Sequence, residues 1–134
     1  MPPKAILFDY GQTLVHEISW DPLAGAAALL DCAEENPRKV SAPDLADRLE
    51  LVKGDILNEF GAHSRNQQAL EVPAAAIFRY AFRILGLKSR LPQEELEERY
   101  WAAGAPAEPA EHVISLLEEL RREDILIGVV SNLM

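Results

Sequence analysis

Two short apolar runs lie at opposite ends of the chain, Ala5-Ile6-Leu7-Phe8 near its start and Ile125-Leu126-Ile127-Gly128-Val129-Val130 near its finish. Polar or turn-forming residues close each run, Asp9 and Gly11 after the first and Ser131 and Asn132 after the second. Continuous apolar runs of this length read as strands buried on both faces, as in a parallel sheet. Everything between them reads as helix, so the element order is strand, helical insert, helix, strand.

The insert is punctuated by prolines and glycines. Asp21-Pro22 opens a helix with its body at Leu23 to Glu35, which Asn36-Pro37 ends. Ser41 with Asp44 three residues on resembles a capping box, and Leu45, Leu49, Val52, Ile56 and Phe60 then recur at helical spacing to about Ala62. After a polar patch at Ser64 to Gln68, Pro73 opens a third helix with Ile77, Ala81, Ile84 and Leu85 on one face and Gly86 at its end. Pro92 opens a fourth, through Glu94, Leu96 and Tyr100, ending before Gly104; Gly104-Ala105-Pro106-Ala107 reads as a hinge. Pro109 begins the last helix, with Val113, Leu116, Leu117 and Leu120 inward, Glu111 early and Arg121 and Arg122 late, the charge order a helix dipole favours. The expected division is a partial α/β core from residues 1–15 and 109–134, with residues 16–108 as a helical cap and hinge segments. No internal repeat is visible.

Charge and composition narrow the class. Twenty-two acidic residues face 13 Lys plus Arg, a net charge of -9, which disfavours nucleic acid or an anionic membrane as a partner through non-specific attraction. An anionic substrate in one local site stays allowed. Hydrophobic residues at 49% and charged residues at 26% match globular averages, which sets disorder aside. Cys32 is the only cysteine, so neither an intrachain disulfide nor a cysteine-based zinc site is available. No apolar run approaches the roughly 18 residues of a membrane span, and Met1-Pro2-Pro3-Lys4 leads into no signal-peptide core, so the expectation is a cytoplasmic protein.

In open α/β sheets, ligands bind beyond the carboxyl ends of the strands, where this sequence places Asp9, Gly11, Gln12 and Thr13 on one side and Ser131 and Asn132 on the other. If the two strands are neighbours, Asp9, Thr13 and Ser131 converge on one pocket. A carboxylate beside hydroxyls and turn amides suits nucleophilic attack on a phosphoryl group, with Mg²⁺ offsetting the repulsion between the anions. Taken singly, each residue has a plainer use. An Asp before Gly commonly bonds its own backbone in a turn, and a strand-end Ser is commonly structural. His16 is either a pocket-facing proton donor or, more commonly for such a residue, a loop histidine. His63 and His112 share no metal-ligand spacing with each other or with His16, and read as structural or exposed. Arg65, Asn66 and Glu71 either choose a substrate or form a solvated loop. Trp20, Phe78, Phe82, Tyr100 and Trp101 read as lobe packing, Glu94, Glu95, Glu97 and Glu98 as a solvated helix face, and Cys32 as a small buried residue.

Ile6-Leu7-Phe8-Asp9-Tyr10-Gly11-Gln12-Thr13-Leu14 resembles the first motif of the haloacid dehalogenase-like (HAD) hydrolases, an apolar strand followed by Asp-x-Asp-x-Thr or a variant. Ile125 to Val130 with Ser131-Asn132 resembles the second, and the insert lies where that family carries its helical type 1 cap. The resemblance implies a Rossmann-like α/β core of parallel strands, of which the first two are expected here. It implies Asp9 as a nucleophile that forms an aspartyl-phosphate and ligates Mg²⁺, the Gly11 carbonyl as a further Mg²⁺ ligand, and Thr13 as the residue orienting the loop. Ser131 and Asn132 would hold the phosphoryl group. Phosphatase members carry a second Asp two residues after the nucleophile as proton donor; here that position is Gly11.

The expected activity is therefore that of a Mg²⁺-dependent phosphatase acting on a small phosphorylated metabolite, with no nucleic-acid or membrane partner. The family's third-motif Lys and fourth-motif acidic pair lie downstream of the second motif, and Lys4, Lys39, Lys53 and Lys88 all precede it. The expectation is a chain truncated after the second motif and inactive at 134 residues. The alternatives are a catalytically dead fragment or binding module, and a 2-haloacid dehalogenase-type hydrolase.

Overall fold

The structure is a computed structural model that describes residues 3–60 and 72–131. The expected end of the second helix at Ala62, His63, the patch with Arg65 and Asn66, Glu71, and Asn132 lie outside the described residues. The fold is mixed α/β. In chain order its elements are β1 (Ala5–Phe8), β2 (Val15–Glu17), α1 (Pro22–Asp31), α2 (Ala42–Phe60), α3 (Ala74–Leu85), α4 (Gln93–Gly104), β3 (Ala107–Pro109), α5 (Val113–Arg122) and β4 (Leu126–Val129). They separate into two compact units, one of the described residues up to Trp20 with those from Pro106 onward, the other Asp21–Ala105.

The helical unit is held by α1 to α4. Asp21 caps α1, its Oδ1 accepting the Leu23 and Ala24 amides at 3.1 and 3.0 Å, and Pro22 takes the first turn, where its missing N–H costs nothing. The expected run of α1 to Glu35 is shorter in the structure. The helix stops at Asp31 because Glu34 and Glu35 are drawn into pairing with Lys88: the Glu34 amide donates to the Lys88 carbonyl at 2.8 Å and the Lys88 amide to the Glu35 carbonyl at 3.1 Å. Ion pairs Lys88–Glu35 and Arg90–Glu34 lie along the same bridge. Ala26, Leu29, Leu45, Leu49, Phe78, Ala81, Phe82, Leu87, Leu96 and Tyr100 form the core.

Pro73 and Gly86 bound α3 as expected, with Gly86 in the left-handed conformation that closes a helix. Its inward face is Ala75, Phe78, Ala81 and Phe82, so the larger aromatics turn in and Ile77, Ile84 and Leu85 are only half-buried. Glu97 is more than part of a solvated face, since its Oε1 accepts the Ala75 amide at 2.8 Å and satisfies an orphan donor in the first turn of α3. Cys32 is half-buried at the end of α1, its thiol directed to the Ala28 carbonyl at 3.2 Å.

In the α/β unit, β1 and β4 pair in parallel, Ala5 opposite Leu126 through Phe8 opposite Val129. The pairing matches the expectation, but burial on both faces does not. Leu7 is 70% exposed and Leu126 71% on one face of the pair, and Val129 is 53% exposed on the other, because α5 covers β4 only in part and no second layer among the described residues packs on the pair. The second sheet is unexpected: β2 and β3 pair antiparallel, with Val15, His16 and Glu17 opposite Pro109, Glu108 and Ala107. This pairing overturns one reading: Pro109 ends β3 instead of starting the last helix. Gly104 ends α4 and Ala107 opens β3, and the two units divide between Ala105 and Pro106, inside the segment expected as a hinge. The last helix begins four residues after Pro109, at Val113, once His112 has turned the chain at φ 62°. Val113 is buried and Leu117 and Leu120 half-buried, while Leu116 stays exposed. Trp20, expected in the lobe core, is half exposed. Among the described residues, no helix is long and apolar enough to cross a membrane.

Candidate functional site

The site is built at the carboxyl edge of the β1–β4 pair. Phe8 is in register with Val129, and the Val130 amide donates to the Phe8 carbonyl at 2.9 Å, so the ladder runs to the last residue of β1. Asp9 follows Phe8 directly and Ser131 lies two residues past Val129. Parallel register therefore brings the two strand ends, and the polar residues that leave them, to one edge. Asp9 is exposed and Ser131 half-buried. One Asp9 oxygen, Oδ1, accepts the Tyr10 amide at 2.8 Å, the local turn bond available to an Asp at a strand end.

Beyond Asp9 the chain curls into a tight loop. The Tyr10 carbonyl accepts the Thr13, Leu14 and Val15 amides at 3.4, 2.9 and 3.2 Å, and the Gln12 amide donates to the Val15 carbonyl at 2.8 Å. Gln12 takes a left-handed φ of 58° to make that reversal. Gly11 bridges to Val15 through its neighbours' hydrogen bonds, and its own carbonyl accepts none of the loop's backbone bonds. A Cβ built on Gly11 meets nothing within 4 Å, so the space there would admit a side chain.

A cleft of about 450 Å³ opens beside this loop, lined by Phe8, Thr13 and Leu14 on one side and by Ala110 to Val113, Ser115, Leu116 and Glu119 on the other. Asp9 and Ser131 are not in its lining. Register thus joins Asp9 with Ser131 at the sheet edge, while Thr13 belongs to the wall of the neighbouring cleft. His112 is exposed, as expected, and its Nε2 lies 3.1 Å from Glu111 Oε1, a solvent-screened pair of little energetic weight. The Ser115 hydroxyl donates to the His112 carbonyl at 2.8 Å.

His16 sits on β2, exposed, with Nδ1 3.3 Å from Gln12 Oε1. The contact is a hydrogen bond in the tautomer that protonates Nδ1, since the amide oxygen only accepts. Directly opposite on β3 is Glu108. Glu108 carried no signal in the sequence, since its position depends on a three-residue strand pairing across the whole insert.

Mg²⁺ takes octahedral oxygen ligation, commonly through one or two carboxylates with water and substrate phosphate completing the shell. Asp9 keeps a second carboxylate oxygen beyond its bond to Tyr10, and the Gly11 carbonyl accepts no backbone amide among the described residues, so the loop offers two oxygen donors of the right kind. Among the described residues, no group of three or more His, Cys, Asp or Glu converges as a preformed metal cage. The loop supplies two of the oxygen donors that a Mg²⁺ site completed by water and substrate would need. Compared with known proteins, the sequence matches no protein-family model and no curated protein.

Proposed function

We propose that the chain carries a HAD-like phosphoryl-transfer site, in which Asp9 attacks the phosphorus of a small phosphorylated metabolite in a Mg²⁺-dependent phosphatase reaction. The observation that carries this reading is the parallel register of β1 and β4, which sets a carboxylate and a hydroxyl at the same strand-end edge. It supports the motif resemblance of Asp9-Tyr10-Gly11-Gln12-Thr13 and Ser131, which has no geometric meaning unless those strands are neighbours.

In this reading Asp9 supplies the attacking oxygen and Ser131 donates a hydrogen bond to the transferred group, with Asn132 beside it in sequence. Thr13, whose amide closes the turn onto the Tyr10 carbonyl, keeps the loop curled. Asp9 and the Gly11 carbonyl would hold Mg²⁺, which when bound offsets the charge between carboxylate and phosphate.

The test is Mg²⁺-dependent hydrolysis of an aryl phosphate by the full-length protein. Asp9→Asn is expected to abolish turnover, and Ser131→Ala to lower kcat by about 10²-fold, the scale of losing one hydrogen-bond donor to developing charge. Turnover that survives Asp9→Asn undiminished overturns the assignment.

A further inference from the structure

A carboxylate that displaces an alcohol or phenol from phosphorus leaves an oxygen needing a proton, and the position two residues after Asp9 is Gly11, which has none to give. Resting on the phosphoryl-transfer reading above, we propose that His16 is the proton donor of this site and that Gln12 is its positioning residue. The curled loop is what brings them together. Because Tyr10 and Val15 close the turn and Gly11 bridges to Val15, β2 starts alongside the residue that follows Tyr10, and His16 is the next residue along. Its imidazole is held from the loop side by Gln12 Oε1 at 3.3 Å through Nδ1.

That contact bears on the second nitrogen. In the tautomer that bonds Gln12 through Nδ1–H, Nε2 is the nitrogen left to meet a leaving oxygen. Glu108, opposite His16 in the antiparallel register, has its side chain on the same face of the β2–β3 pair, so a carboxylate accompanies the imidazole there. Glu17 is the neighbouring charge on β2 and alternates to the other face. Asp9, the nucleophile, lies on the loop that Gln12 belongs to. An imidazole fixed by an amide and accompanied by a carboxylate, one tight turn from a strand-end Asp, is a proton-donor arrangement displaced from residue 11 onto the adjoining strand.

The step balances as follows. An Asp9 oxygen forms a bond to phosphorus as the bond from phosphorus to the leaving oxygen breaks, and that oxygen keeps the electron pair. The proton on His16 Nε2 moves to it, giving the free alcohol or phenol, an aspartyl-phosphate and a neutral imidazole. Water then attacks the phosphorus, Nε2 takes its proton, and inorganic phosphate leaves with Asp9 and the imidazolium restored.

The experiment compares two leaving groups in the full-length protein with Mg²⁺ present. Dinitrophenolate departs without a proton and phenol does not. In a single turnover, His16→Gln is expected to slow the release of phenol from phenyl phosphate by about 10² to 10⁴-fold, the usual range for general acid catalysis, and to leave the release of dinitrophenolate from dinitrophenyl phosphate unchanged, while hydrolysis of the aspartyl-phosphate slows alike for both. Gln12→Asn, which tolerates the left-handed φ but is one methylene too short to reach His16, is expected to show the same selectivity to a smaller degree. Gly11→Asp, for which the loop has space, is expected to restore phenyl phosphate turnover in the His16→Gln background. If Asp9→Asn abolishes both activities while His16→Gln changes the single-turnover release of both leaving groups equally or of neither, the His16 assignment is overturned and the phosphoryl-transfer reading stands. If no Asp9-dependent turnover of dinitrophenyl phosphate exists, that reading falls and takes this one with it.

Discussion

A methyl group added at Gly25 meets the Tyr100 ring at 2.6 Å, and one added at Gly54 meets nothing within 4 Å. The same substitution therefore has opposite signs at the two positions. Gly25 lies in α1 where α4 crosses it, with the Tyr100 ring on its face and Gly104 so close that a Cβ there would come within 3.2 Å of the Gly25 Cα. Tyr100 is 5% exposed, and its ring also packs on Phe78 with centroids 4.8 Å apart, so it has little room to retreat. Burial pushes its phenol above the usual value of 10, with the charge of Glu50 adding to the effect. Gly25→Ala is expected to destabilise the helical unit by about 1 to 3 kcal/mol, the cost of overpacking a filled core. Gly54 is in the interior of α2, where its backbone freedom only weakens the helix. Gly54→Ala is expected to stabilise by about 0.5 to 1 kcal/mol. Thermal unfolding followed by circular dichroism checks both, and a lower Tm for Gly54→Ala would contradict the open space around it.

At the scale of an element, the start of α2 shows what a local signal decides. Asp44 Oδ2 accepts both the Ser41 hydroxyl and the Ser41 amide at 2.9 Å, and these bonds, the hydroxyl's first, hold its carboxyl below the usual 3.8. A carboxylate depressed by folding contributes stability above its unfolded value that is lost as pH falls through the folded one. The Asp44 carboxyl resonance is therefore expected to titrate below pH 3.8, and Ser41→Ala to move its midpoint up toward that value; an unmoved midpoint would mean that the bonds do not form in solution. Elements bounded by such signals were legible in the sequence: the Ser41–Asp44 start of α2, the Pro73 and Gly86 limits of α3, and the paired apolar runs that became β1 and β4. Elements bounded by distant partners were not. The end of α1 is set by Lys88, and β3 exists because Val15 to Glu17 lie opposite it, so Pro109 looked like a helix start when read with its neighbours alone. The candidate site divides in the same way. Asp9 and Ser131 were visible as the ends of like strands, whereas Thr13 in the cleft wall and Glu108 opposite His16 follow from pairings between residues more than ninety positions apart.

For the whole molecule, the uneven distribution of buried side chains predicts uneven stability. Among the described residues, the helical unit holds ten mutually packed core residues, including Leu29 and Leu45 at 0% exposure. In the α/β unit only Leu14 and Val113 fall below a tenth exposed among the described residues, and β1 and β4 carry side chains open to solvent. Regions with few buried apolar contacts open locally at lower free energy than the global transition. Amide hydrogen exchange is therefore expected to be slowest along α1, α3 and α4, and faster in the β1–β4 ladder, where the Leu126 and Val130 amides donate to Lys4 and Phe8. Leu29→Ala separates the two contributions. Deleting a fully buried leucine costs about 2 to 5 kcal/mol, and here it removes contacts that belong to the helical core alone. The variant is expected to accelerate exchange throughout α1, α3 and α4 while the Leu126 and Val130 amides keep their rates. Equal acceleration in both units would instead show that they open as one cooperative body, so that the stability of the Asp9 edge is borrowed from the helical core.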